Sequence, residues 1–257
     1  MGILNLTPDS FYDGWVNNDI VSAVKKARQM LEKGATFIDV GGYSSRPGAS
    51  DVSETQEIDR VVPVIETLVN EVPGILISID TFRASVAKKA VAAGAALVND
   101  ISAGMLDTTM MSTVSRLGVP YCMMHMRGTP QTMKTKTEYA DVTKEVLLYF
   151  SKRIEVARGA GINDIIIDPG FGFSKTTAQN FSLLNKLELM QEVEVPVLVG
   201  LSRKSMIYKT IETSPQNALN GTTALHMIAL QKKASILRVH DVAPAMECIR
   251  LHKAISE

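Results

Sequence analysis

The sequence predicts an α/β fold, and within that class a single (β/α)8 TIM barrel with its functional site at the C-terminal ends of the strands. Three observations carry that expectation. Short apolar runs rich in β-branched residues alternate with amphipathic helical runs along the whole chain. Eight such units follow in one direction, and parallel strands that need crossovers close most naturally into a barrel at that number. The length of 257 residues suits one barrel. No linker or low-complexity stretch interrupts it, so residues 1–257 read as one domain. A doubly wound open sheet is the alternative, but it usually has fewer strands.

Taken in order, Gly2–Leu6 reads as the first strand, followed by a polar loop over 7–18. Ile20, Val24, Ala27 and Leu31 share one helical face over 19–33, and Gly34 stops that helix. A strand over 36–40 leads to a long loop, 41–52. Ser53-Glu54-Thr55-Gln56 is a capping box opening the next helix, which Pro63 is expected to kink. Strand three, 75–79, ends at Asp80, and a helix over 84–93 closes at Gly94. Strand four, 96–98, ends at Asn99-Asp100, and a helix over 107–117 follows. Strand five, 119–124, ends at His125; a polar loop and a long helix over 139–158 follow. Ile165-Ile166-Ile167 delivers Asp168 to a Pro-Gly turn as strand six. A helix over 179–191, strand seven over 197–199, a helix over 220–232, strand eight over 235–239 and a helix over 242–255 complete the series.

The totals exclude several classes. Basic and acidic side chains number 27 each, which argues against a general binder of nucleic acid or anionic membrane. No apolar run approaches the ~18 residues of a membrane span. The start lacks a basic n-region and cleavage site, so the cytoplasm is expected. Cys122 and Cys248 read as reduced core residues. There is no dinucleotide fingerprint, zinc spacing or nucleophile elbow.

The strand ends carry the chemistry: Asn5, Asp39, Asp80, Asn99, His125, Asp168, Lys204, Arg238 and His240. Polar residues often follow strands because loops are polar, and Asp80 also reads as an N-cap for the helix that follows it. Together, however, the tips divide into two chemistries. Asp80, Asn99 and Asp168 offer carboxylates and an amide, which suit a flat heterocycle bearing amino and ring N–H groups. Arg203 and Lys204, with Arg238 and His240, are cationic in the loops where barrel enzymes commonly bind phosphate. Arg203 and Lys204, as neighbours, are expected to diverge, so that one enters the site. Met123, Met124 and Met126 read as core or pocket lining, and His226 as a core histidine.

These motifs resemble those of the dihydropteroate synthases. Gly2–Phe11, Asp39-Val-Gly-Gly, Ser45-Arg46-Pro47-Gly48, Ser78–Thr81, Asn99–Ile101, Asp168–Gly172, Ser202–Ser205 and Arg238-Val-His240 follow in that family's order over nearly the whole chain. The resemblance implies condensation of 6-hydroxymethyl-7,8-dihydropterin pyrophosphate with p-aminobenzoate, giving dihydropteroate and pyrophosphate, in a homodimer that sulfonamides inhibit by competition. It also implies roles. Asp80, Asn99, Ile101, Met123, Asp168, Phe173 and Lys204 would hold the pterin. Ser45, Arg46, Pro47, Phe173, Ser202 and Lys204 would form the p-aminobenzoate site. Asn5, Ser45, Arg46, Arg238 and His240 would hold the pyrophosphate, with Asn5 on Mg2+, and Asp9 or Asp13 would assist with the metal or the amine. Arg238, His240, Lys204, Asp168 and Asp9 form the expected catalytic set. Tyr43 stands where many members have Glu, Ser45 where many have Thr, and Ser174 where Gly is common. A corrinoid-linked pterin methyltransferase and a non-catalytic paralogue are the rival readings.

Overall fold

The computed structural model describes residues 1–6, 17–43 and 52–256. Its strands are β1 (Gly2–Asn5), β2 (Phe37–Gly41), β3 (Leu76–Asp80), β4 (Leu97–Asp100), β5 (Tyr121–Met124), β6 (Ile165–Asp168), β7 (Leu198–Val199) and β8 (Ile236–Leu237). β1 to β6 pair in sequence order, all parallel, as do β7 and β8. Two parallel bridges, Ile167 with Val197 and Gly2 with Val239, join the two sheets at both seams. Ile167 N donates to Pro196 O at 3.0 Å and Ile3 N to Val239 O at 2.9 Å. The ring is therefore closed, and among the described residues no strand is left with an unpaired edge.

Alternation along the strands sorts side chains into two cores. Leu4, Ile38, Val40, Ile77, Ile79, Val98, Tyr121, Met123, Ile167 and Val199 face outward and pack with the helices in the main cluster. Leu97, Cys122, Ile166 and Leu198, with Phe37 and Ile236, form a separate small cluster inside the ring. Removing such side chains from water contributes roughly 1.5–3 kcal/mol each. Above that floor the interior turns polar, and Ser78, in register with Leu97, is a buried hydroxyl at the floor itself.

The helices are α1 (Asn17–Glu32), α2 (Glu54–Glu71), α3 (Ala84–Ala92), α4 (Met110–Leu117), α5 (Val142–Gly159), α6 (Thr177–Asn185), α7 (Ser205–Thr210), α8 (Leu219–Gln231) and α9 (Val242–Ser256). The capping box is formed: Ser53 Oγ accepts from Gln56 N at 3.2 Å, and Gln56 Oε1 accepts from Ser53 N at 2.9 Å. α2 runs through Pro63.

Other boundaries differ for local reasons. α4 begins three residues later than expected, because Asp107 turns back to accept from Thr109 N at 2.9 Å. α5 begins at Val142, where Asp141 Oδ1 accepts from Thr143 N and Lys144 N. The helix expected over 179–191 is two pieces, α6 and a 3-10 segment at Leu187–Val193. α7 was not expected.

Candidate active site

Strand register sets the tips side by side at one mouth. Asn5 pairs with Gly41, Gly41 with Asp80, Asp80 with Asn99, and Met124 with Asp168. Asp39 lies one inward position below Gly41 and is fully buried. Arg238, from beyond β8, reaches across the ring: its Nε donates to Asp39 Oδ2 at 2.6 Å and its Nη2 to Asp80 Oδ2 at 2.7 Å. Asn99 Nδ2 donates to the same Asp39 oxygen at 3.2 Å. Asp39 Oδ1 and the neighbouring Ser78 Oγ are buried without a hydrogen-bond partner.

The other side of the mouth is held by β6 and the loop after β7. Asp168 Oδ1 accepts from Gly170 N at 2.8 Å. This turn needs glycine, because Gly170 has a φ of +71° and a Cβ there would collide with the His125 carbonyl oxygen. Asp168 Oδ2 and Lys204 Nζ each stand 3.9 Å from where a Cβ on Gly200 would be. Lys204 Nζ also donates to Phe171 O and sits 4.6 Å from the Phe173 ring centroid. The two expected chemistries are thus interleaved in one cluster: a cation stands beside each carboxylate.

Burial dominates the electrostatics. It raises Asp80 to about 7 against the opposing pull of Arg238, with Asp39 adding to the rise. It raises Asp168, which Lys204 partly offsets. It lowers Lys204 to about 8, with Asp168 opposing. Arg238 is held more firmly cationic by Asp39 and Asp80, despite its own desolvation. One guanidinium faces two carboxylates, so the cluster favours a ligand that brings N–H donors.

Beside the charges lies an apolar wall of Ile101, Met124, Met126 and Met133, with Phe82, Leu106 and Phe173. Here one expectation is corrected. Met123 packs outward among the helices, and alternation gives the inward position to Met124. Asp80 is not the cap of α3 either. Asp107 Oδ2 accepts from Ala84 N at 2.8 Å, which leaves Asp80 to the mouth.

Arg203 and Lys204 diverge as expected. Arg203 forks onto Asp241 at 2.7 and 3.0 Å, away from Lys204. Ser202 Oγ accepts from His240 N at 3.2 Å and lies 3.0 Å from His240 Nδ1, linking the loops after β7 and β8. His240 itself is exposed at the rim. Tyr43 accepts from Gln131 Nε2 at 2.9 Å and sets its ring edge-on to Phe82 at 5.1 Å. Asp9, Asp13, Ser45, Arg46 and Pro47 lie outside the described residues.

For a metal, no group of three His, Cys, Asp or Glu is preassembled among the described residues. Asn5 presents one half-buried amide at the mouth. A hard cation that keeps its waters and binds mainly through substrate phosphates fits such a sparse donor set.

A family model described as pterin binding enzyme matches residues 1–240. The dihydropteroate synthase of Escherichia coli strain K12 is 42% identical over 99% of this chain and 90% of its own length.

The chain belongs to the dihydropteroate synthase family.

Two solved dihydropteroate synthases from Xanthomonas albilineans superpose closely. One, with 4-aminobenzoic acid, has a TM-score of 0.92 at 41% identity and covers 99% of this chain and 92% of its own. The other, in complex with 7,8-dihydropteroate, has a TM-score of 0.88 at 39% identity with the same coverage. Dihydropteroate synthases are transferases of folate biosynthesis, which sets aside the methyltransferase reading.

Asp39, a member of this cluster, and Lys175, buried in the loop after β6, carry no role assigned from the sequence. Asp39 stood among the strand ends, and its signal was a carboxylate at an inward position of an apolar strand. Lys175 gave no signal, since nothing in the sequence says that a loop lysine is buried.

Proposed function

We propose that this dihydropteroate synthase joins p-aminobenzoate to 6-hydroxymethyl-7,8-dihydropterin pyrophosphate by an SN1-like path. One observation carries the reading. Asp39, Asn99 and Asp168, all buried, and the partly buried Asp80, threaded by Arg238 and Lys204, stand above an apolar floor and beside a methionine-rich wall. That arrangement suits a flat ring rich in N–H donors, with one face on sulfur and aromatic groups.

An arylamine is neutral at pH 7 and a weak nucleophile, because its lone pair delocalises into the ring. The burden falls on the electrophile. Asp80 and Asp168 would anchor the pterin, Asn99 would complete the hydrogen-bonding edge, and Ile101, Met124 and Phe173 would flank it. Their negative charge favours the cation that forms as pyrophosphate departs. Arg238 has five N–H donors and uses two on Asp39 and Asp80, so others remain for the leaving group. His240, held by Ser202 at the rim, would take the outer phosphate. Asn5 would hold Mg2+ together with the substrate's phosphates; when bound, that ion neutralises charge on the leaving group. Lys204 and Phe173 lie where the pterin site meets the p-aminobenzoate site, which Ser45, Arg46, Pro47 and Ser202 would complete.

Residues 1–257 would act as one pterin-binding domain in the cytoplasm. Among the described residues no helix is long and apolar enough to cross a membrane. The protein would act as a homodimer. The test is pyrophosphate release with Mg2+, with and without p-aminobenzoate, alongside detection of dihydropteroate. Release coupled to dihydropteroate supports the reading; binding of both substrates without turnover overturns it.

A further inference from the structure

The loop after β6 ends in a lysine that no step above uses. Lys175 is buried, and its Nζ lies 3.0 Å from His125 Nδ1, 3.0 Å from Gly170 O and 3.1 Å from Phe173 O. Three acceptors match the three N–H groups of an ammonium. When Lys175 is the ammonium, which only donates, His125 accepts at Nδ1 and carries its proton on Nε2. Burial, with Lys175 adding to it, holds His125 neutral by lowering it to about 2. Among the described residues no carboxylate forms an ion pair with Lys175. A buried cation with no carboxylate in direct contact is a costly way to pin a loop.

What it pins is the turn that shapes the site. Gly170 N bonds Asp168 Oδ1, Phe171 O takes Lys204 Nζ, and the Phe173 ring lies beside that same amine. His125, on the far side, is packed against Tyr149 at 4.8 Å between ring centroids. The preceding residue adds a second tie: Ser174 Oγ accepts from Arg127 N at 3.0 Å. Ser174 holds a φ of +45°, the left-handed region that glycine fills more easily. Its hydroxyl offsets that strain by joining the segment after β5 to the loop after β6.

We infer that Lys175 is a positioning residue: it locks the turn 170–173 against His125 and so sets Asp168, Phe173 and Lys204 at the geometry the pterin requires. It does not touch the reacting atoms. The inference rests on the pterin role proposed for Asp168 and Lys204. Burial lowers Lys175 to about 7, with Asp168 opposing and Lys204 and Arg127 adding to the fall.

The experiment compares Lys175→Met, His125→Leu and wild type in the full chain. Three quantities are measured: amide hydrogen exchange over 170–173, KM for the pterin pyrophosphate, and kcat corrected for the folded fraction. The expected result for Lys175→Met is exchange at least tenfold faster at Gly170 and Phe173 and a pterin KM raised at least tenfold, with kcat changed less than threefold. His125→Leu, which keeps two of the three acceptors, should shift the same quantities in the same direction by a smaller factor. If Lys175→Met does not fold, His125→Leu decides alone. A lowered melting temperature with unchanged exchange and KM would make Lys175 merely structural and overturn the inference. If wild type shows no turnover, the proposed reaction falls, and exchange over 170–173 then tests the clamp by itself.

Discussion

Leu97, Cys122, Ile166 and Leu198 fill the floor of the barrel, and Asn99, Met124, Asp168 and Gly200 stand two residues further along the same strands. The backbone makes no distinction between the two layers: strand direction, alternation and pairing are shared. The side chains meet opposite demands. The floor is apolar and close-packed, so every group gains from leaving water. The upper layer draws three carboxylates, an arginine and a lysine out of water, with Asp39 and Asp168 buried and Asp80, Arg238 and Lys204 partly so, and leaves Asp39 Oδ1 without a partner. Such groups are poor choices for stability. Their presence there is a cost to stability, which a ligand bringing N–H donors to Asp80 and Asp168 would offset.

The largest break in that contrast is Arg238→Ala. It leaves Asp39 and Asp80 buried without their cation, and removing one partner of a buried pair costs about 3–5 kcal/mol. Denaturant unfolding should show that loss, and kcat/KM should fall with it. Arg238→Lys should not restore either quantity, because a single ammonium cannot fork onto two carboxylates. Wild-type stability in Arg238→Ala would mean that the guanidinium is not the counterion of this layer.

Asp168→Asn separates stability from function. The side chain keeps its shape and can still accept from Gly170 N, but it loses the charge that would face the pterin. Losing one half of a buried, hydrogen-bonded charge pair weakens binding by about 2–5 kcal/mol, on the order of 30-fold to a few thousand-fold. Burial disfavours the ionised Asp168 in the free protein, even with Lys204 nearby. The melting temperature should therefore hold or rise while pterin affinity collapses. A drop of several degrees would assign Asp168 to the scaffold rather than the site.

How far the sequence reaches depends on the layer. The floor and the outer shell follow from periodicity alone, because burial and alternation are local rules; the eight units and the Ser53 capping box were legible for that reason. Asp80, Asn99 and Asp168 were legible as inward strand ends. The distance between chemistries was not. Arg238 lies 199 residues from Asp39 and 158 from Asp80, so their pairing depends on barrel closure, which no local pattern encodes. The resemblance put Met123 at the pterin, whereas strand alternation packs it in the core and gives the inward position to Met124, one residue on. The α4 boundary and the true cap of α3 both hinge on Asp107, whose two oxygens serve different elements.

Asp80 gives a subtler contrast, in pH. Its carboxyl in the unfolded chain ionises near the ordinary value of about 3.9, whereas burial raises it to about 7 in the fold. Between those limits the folded state holds more protons than the unfolded one, so this group's contribution to stability falls as pH rises from about 4 to 7. Urea unfolding across that window should show a shallower decline in Asp80→Asn than in wild type. Identical slopes would mean that Asp80 is already ionised in the free protein, with Arg238 fully neutralising it.

The smallest effect comes from the floor. Ile166→Val removes one methylene from the small internal cluster, two residues below Asp168 on the same strand. Deletions of this size cost about 0.5–1.5 kcal/mol. If the two layers are independent, the loss should appear entirely in unfolding, with kcat and both KM values unchanged in the folded protein. A rise in pterin KM would mean that the floor sets the height of Asp168, so that the apolar layer is part of the site's geometry. The matched measurement is the double variant Ile166→Val with Asp168→Asn. Additive changes in stability and affinity would keep the layers separate, whereas a coupling above about 0.5 kcal/mol would join them.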